Sequence, residues 1–202
     1  MEDKLSPKEV RRLMKIPGNV KGEMILANID YIRIKGGEEV VEQLKKRMKE
    51  LGIELHLKEI KPMEMYPEAI SVMIVLLAKE ILGLDEKGIF EMGKTAVKLS
   101  FFLKILTKHF VSPKRCFEES SRYWVKYFDF GEIEPVEFNE VERYAVIRVK
   151  GYRFHPIMCQ YYKGYFSEIA RLALGADKKI SIEETKCVFR DDFYHEYVIT
   201  WK

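Results

Sequence analysis

Glu132-Ile133-Glu134-Pro135-Val136-Glu137-Phe138, followed past Asn139-Glu140 by Val141-Glu142-Arg143-Tyr144-Ala145-Val146-Ile147-Arg148-Val149-Lys150, sets the architecture of this chain. Both stretches alternate apolar with polar residues and are rich in Val and Ile, so they read as two antiparallel strands turning at Asn139-Glu140. Downstream, helical spacing of apolar residues returns from about Pro156 to Leu174, and two further alternating stretches follow at Lys179–Phe189 and Phe193–Trp201. Four strands with one inserted helix make a β-β-α-β-β unit.

Upstream of Gly131 the period is helical. Ser6-Pro7-Lys8-Glu9 is a capping box with Pro at the first helical position. Met24, Ile25, Ile29 and Ile32 form a helical stripe that Gly36-Gly37 breaks, and a further helix runs from Glu38 to Leu51 with Gly52 as its C-cap. Ile53 to Ile60 reads as a short strand or an extended linker. Pro67 opens an apolar helix to about Leu82. Glu86 to Phe110 is expected to be the longest helix, apolar nearly all round and therefore central. Pro113 opens one more, ending near Phe128. The fold class is thus α+β: a mainly helical part, residues 1–130, packed on the four-stranded antiparallel sheet of residues 131–202. No linker separates the parts, so one domain spanning 1–202 is expected.

Composition narrows the function. The 202 residues are 47% hydrophobic with 12 Phe and 11 Tyr, enough to bury a core without staples. The 35 basic and 32 acidic residues nearly cancel and are interspersed, which argues against a nucleic-acid footprint. The longest apolar run, Ile70 to Ala78, falls far short of the ~20 residues a membrane span needs. Met1-Glu2-Asp3-Lys4 lacks the basic and apolar regions of a signal peptide, and three cysteines without a CxxC pair argue against a disulfide framework. A cytoplasmic location is expected.

The C-terminal third carries a signature: His155-Pro156-Ile157-Met158-Cys159 entering a helix with Lys163-Gly164-Tyr165-Phe166, then Gly175-Ala176, then Glu184-Thr185-Lys186-Cys187, a turn at Asp191-Asp192, and Phe193-Tyr194-His195-Glu196-Tyr197. This resembles the 4-vinyl reductase (hydrocarbon-binding) family, in a superfamily with heme nitric-oxide sensors and TRAPP vesicle-tethering subunits. The sequence departs from the family pattern at the turn, which has Asp191-Asp192 in place of Gly, and at the third Cys, whose place falls on or near His195. The resemblance implies an α+β fold whose helices enclose an apolar pocket, often in a homodimer, acting as a ligand-sensing module. Heme is not expected, because no Tyr-x-Ser-x-Arg element for its propionates is present.

Two candidate sites follow. Thiolate and imidazole are ligands that zinc prefers, so Cys159, Cys187 and His195 are candidate ligands for zinc or iron. The alternative is that they only pack in the core. A three-residue loop at Arg190-Asp191-Asp192 places Cys187 opposite His195, whereas a two-residue loop pairs Cys187 with Glu196 and turns His195 to the other face. Phe90, Met92, Val97, Phe101 and Phe102 are candidate pocket residues, with simple core filling as the alternative. No nucleophile elbow, phosphate loop or dinucleotide fingerprint is present, and enzyme activity is not expected. The leading reading is a protein that binds or senses a small apolar molecule (hydrocarbon, lipid or pigment-like) and passes its signal to a separate partner. A dimeric interaction module is the alternative, and a reductase acting on a porphyrin or hydrocarbon is the third.

Overall fold

The computed structural model describes residues 4–100 and 112–202. The N-terminal half is helical. Helix α1 (Pro7–Met14) starts at Ser6, whose hydroxyl accepts from the Glu9 N–H. Strand β1 (Asn19–Lys21) leads into α2 (Gly22–Glu50), and β2 (Met65–Pro67) pairs antiparallel with β1 before α3 (Glu68–Leu82). Helix α4 (Glu86–Leu99) follows Asp85, which caps it by accepting from the Gly88 N–H. The short helices α5 (Pro113–Glu118) and α6 (Ser120–Tyr127) complete this half.

The C-terminal half is the β-β-α-β-β unit: β3 (Glu132–Asn139), β4 (Tyr144–Lys150), α7 (Ile157–Leu174), β5 (Ile180–Lys186) and β6 (His195–Trp201), in sheet order β3-β4-β6-β5, all antiparallel. Alternation gives β4 and β6 one shared buried face on which Ala145 lies opposite Ile199, Ile147 opposite Tyr197 and Val149 opposite His195. A continuous apolar core runs from Leu5 through the helices to Ile199.

Several expectations shift, but the break expected at Gly36-Gly37 holds: within 22–50 the chain leaves helical geometry at Gly37 (φ 76°), where the lack of a Cβ permits that backbone. Residues 53–60 form no strand; the segment closes in a 3₁₀ turn at Leu57–Glu59, held by the Ile60 N–H on the Leu57 carbonyl. The helix opened by Glu86 ends at Leu99, because Ser100 is extended, so its described part is shorter than the 18 residues of α7. The rest of the expected 86–110 helix lies outside the described residues. Strand β4 begins at Tyr144, since Arg143 (φ 59°) closes the turn before it.

Helix α4 crosses α7 at two glycines. A Cβ on Gly93 would lie 2.0 Å from the Tyr161 carbonyl oxygen, and one on Gly164 would lie 1.9 Å from that of Phe90. The two backbones therefore meet directly, and the crossing seats the first turn of α7 against the core.

Candidate metal centre and apolar cavity

Three separate segments bring four side chains together. Cys159 sits in the first turn of α7, Glu184 near the end of β5, Cys187 just past it, and His195 at the start of β6. The Cys159 and Cys187 sulfurs are 3.5 Å apart, Cys159 Sγ lies 3.8 Å from His195 Nδ1, and that nitrogen is 2.9 Å from Glu184 Oε1. Cys187 and His195 are buried, while Cys159 and Glu184 are half-buried, so the group has one side toward solvent.

The hairpin register explains how this happens. Within the ladder Ile182 pairs with Ile199 and Glu184 with Tyr197, but Lys186 pairs with Glu196, so Thr185 is a bulge. The bulge shifts the register by one, and Cys187 comes round to the side of His195 without joining the ladder. The turn beyond is fixed on Cys187. Its N–H donates to Asp192 Oδ2 at 2.8 Å, its carbonyl accepts from the Arg190 N–H at 2.8 Å, and Asp191 takes the left-handed conformation (φ 67°) that Asp tolerates.

Electrostatics sharpen the picture. His195 Nε2 donates to the Tyr152 carbonyl at 3.0 Å, which leaves Nδ1 as the nitrogen facing Glu184 and Cys159. Burial works to raise the Glu184 carboxyl, but the hydrogen bond and charge of His195 outweigh it and hold the group below the usual range. Burial, then the charge of Glu184 and the neighbouring Cys187, push the Cys159 thiol strongly upward. A cation placed among these groups reverses that, since a coordinating thiol is deprotonated outright.

The second feature is a cavity of about 130 Å³, open on one side, between α5, α6, α7 and the inner face of the sheet. Trp124, Phe166 and Trp201 form aromatic walls, and Cys116 and Ser120 lie on the helical wall. Ser120 Oγ is buried with no hydrogen-bond partner among the described residues. Burial, then the charge of Glu119, push the Cys116 thiol up to about 12, so it is neutral at physiological pH. An apolar void of roughly 150 Å³ holds a benzene-sized guest, so the scale suits a compact molecule, with more room at the mouth.

The pocket residues read from the sequence lie elsewhere. Met92 and Val97 are fully buried on α4, and Phe90 is half-buried beside the close crossing with α7; none of them lines this cavity. Phe101 and Phe102 lie outside the described residues. Glu184 is the member of the cluster that residue type alone does not single out as a ligand, although it stands three residues before Cys187 in the quoted Glu-x-x-Cys element. Cys116 has no visible partner in the sequence, because its neighbours across the cavity come from the sheet and α7.

The chain matches no family model and no curated protein. Solved structures do resemble it. An H-NOX protein from S. oneidensis in the Fe(II)NO ligation state is 13% identical, with a TM-score of 0.69 over 90% of this chain and 99% of that one. An oxygen-binding H-NOX domain related to soluble guanylate cyclases, in its oxygen complex, is 15% identical over 90% and 95%, with a TM-score of 0.62. A further structure, described as modulating heme redox potential through protein-induced porphyrin distortion, is 14% identical over 90% and 99%, with a TM-score of 0.61. The α+β architecture is therefore that of H-NOX domains. A link to 4-vinyl reductases or vesicle-tethering subunits is not shown by these likenesses.

They correct one expectation. The missing Tyr-x-Ser-x-Arg element argues against heme, yet one similar structure is described by its heme redox potential and another by its Fe(II)NO ligation. The fit can be tested on the residues present. Heme iron is held by His, Cys thiolate, Met or Tyr, and the described lining offers Cys116 and the Tyr165 phenol, since the Tyr127 hydroxyl is already bonded to Glu23 and Ser100. The aromatic walls and the Cys116 sulfur suit a porphyrin, but the void of about 130 Å³ is benzene-sized, so heme would enter only with the cavity widened. No Lys or Arg is among the described lining residues, so the heme carboxylates would face the open mouth. No described helix is long and apolar enough to cross a membrane.

Proposed function

We propose that the chain is a sensing domain, one unit over 202 residues, that holds a compact apolar ligand or prosthetic group in the cavity between α5, α6, α7 and the sheet. The observation that carries this reading is the unpartnered Ser120 hydroxyl on an otherwise apolar, aromatic cavity wall. An unsatisfied buried hydroxyl costs about 1–3 kcal/mol, a cost that a polar atom of a guest would remove. Heme is the first occupant to test, because Fe(II)NO and oxygen complexes are what two of the similar structures contain. If heme is bound, its iron supplies the site for a diatomic gas. Cys116 would hold the iron, Trp124 and Phe166 would flank the macrocycle, and Ser120 would offer a hydrogen bond.

Titrating purified protein with hemin, and separately with a fluorescent apolar probe, tests the reading. Saturable uptake of either, weakened at least tenfold in Cys116→Ala for heme or Ala145→Leu for the probe, supports it. Absence of saturable uptake of both overturns it. Sedimentation of the loaded form decides whether the working unit is the expected homodimer, and a ligand-dependent change in assembly is the simplest output to a separate partner.

A further inference from the structure

We infer that Cys159, Glu184, Cys187 and His195 are the four ligands of a divalent transition-metal site, separate from the apolar cavity and independent of what fills it. None of the four lines that cavity. Their ligand atoms, one from each residue, all lie within 4.8 Å of one another.

Three of the six separations are close to the edges of a tetrahedron around an ion, and all six lie within 4.8 Å. With metal–sulfur bonds of about 2.3 Å and metal–nitrogen or metal–oxygen bonds of about 2.0–2.1 Å, tetrahedral edges come to about 3.8 Å between sulfurs, about 3.5 Å from sulfur to nitrogen and about 3.3 Å from nitrogen to oxygen. The corresponding separations here are 3.5, 3.8 and 2.9 Å. Each differs from its ideal by a few tenths of an ångström, which a rotation about χ1 or χ2 supplies.

The surroundings are those of a ligand set. A metal-binding imidazole commonly donates its second nitrogen to a carbonyl or carboxylate that fixes its orientation, and His195 Nε2 donates to the Tyr152 carbonyl. The backbone around Cys187 is pinned through Asp192 and Arg190, so the thiol is positioned before any ion arrives. Two sulfurs, one imidazole and one carboxylate are a borderline-soft donor set, suited to zinc or another late first-row ion and unsuited to magnesium or calcium. All four positions of a tetrahedron are filled by protein, as in a site that holds structure together. Such an ion ties the tip of the β5–β6 hairpin to the first turn of α7.

The test uses the full chain, stripped with a chelator under reducing conditions and titrated with Co²⁺, with Zn²⁺ as competitor. The expected result is about one equivalent bound, a sulfur-to-cobalt charge-transfer band as the mark of thiolate ligation, and displacement by zinc. Glu184→Gln and His195→Gln are each expected to weaken binding at least tenfold. Because such variants can fail to fold, alkylation of Cys159 and Cys187 in the unaltered chain is the second measurement, and zinc is expected to slow it at least tenfold. A charge-transfer band with zinc protection establishes the site. Absence of both from the folded, unaltered chain overturns it and returns the four residues to a hydrogen-bonded core cluster.

Discussion

Tyr152 donates its hydroxyl to Glu68 Oε1 across 2.7 Å, joining the segment after β4 to the first turn of α3. Both residues are buried, and the second carboxyl oxygen of Glu68 meets the geometry of no hydrogen bond among the described residues. The contact is one link in a polar thread. The carbonyl of the same Tyr152 accepts from His195, while Asn28 donates to Ser71 and accepts from Tyr161. The two halves of the molecule are thus held by directed bonds as well as by apolar packing.

Glu68 predicts a specific pH dependence. Burial raises its carboxyl to about 8, against hydrogen bonds from Tyr152 and Ser71 that work to lower it. The folded state therefore keeps a proton that the unfolded chain has released, and stability falls as pH rises from about 5 to about 8, by roughly 3 kcal/mol at pH 7 from this group alone. Denaturant unfolding of Glu68→Gln across that window is expected to lose this slope. Parallel curves for the two proteins would show that Glu68 does not titrate in this way.

The α4–α7 crossing predicts non-additivity. Gly93→Ala and Gly164→Ala each force a methyl into an opposing carbonyl, at a cost of about 1–3 kcal/mol or more. Each substitution pushes the same two backbones apart, so the double variant is expected to cost clearly less than the sum. Additive losses in chemical unfolding would mean that the two sites relax separately.

Ala145, buried on β4 and lining the cavity, predicts the effect of filling it. Ala145→Leu is expected to change the stability of the empty protein by no more than about 1.5 kcal/mol, because the added methylenes enter existing void. Uptake of an apolar guest is expected to fall at least tenfold in the same titration used for the unaltered chain. A large loss of stability with guest uptake retained would place the binding volume elsewhere.

The inferred metal site predicts a stability linkage. Zinc at a hundredfold excess over its dissociation constant is expected to stabilise the folded state by about 2.7 kcal/mol, which for a chain of this size raises the melting temperature by roughly 5–10 °C. In thermal unfolding, His195→Gln is expected to show no such rise. An equal rise in both proteins would assign the effect to adventitious surface binding.

The parts of the fold that repeat along the chain are legible in residue spacing alone. The alternation of 144–150 and the helical spacing of 157–174 place β4 and α7 to within a few residues. Spacing misleads where a contact distant in sequence decides. Asn19–Lys21 becomes a strand only because Met65–Pro67 pairs with it, and three-residue strands have no periodicity to detect. The choice between the two hairpin registers turns on a bulge at Thr185 that neither loop length includes. Within the cluster, Cys159, Cys187 and His195 stand out by residue type, whereas Glu184 is one of 32 acidic residues and is distinguished only by its neighbours in space. The cavity is illegible in the sequence because a void depends on how shapes fail to fill space, which residue spacing does not encode.

The glycine crossing also divides the cavity into unequal walls. Helix α7, seated on α4 through peptide planes, has no compressible side chains at the crossing and behaves as a fixed strut. The opposite wall consists of α5 and α6, short helices of six and eight residues. A guest larger than the void is therefore expected to displace these short helices before α7, which faster amide exchange over 113–127 than over 157–174 in the loaded protein would show.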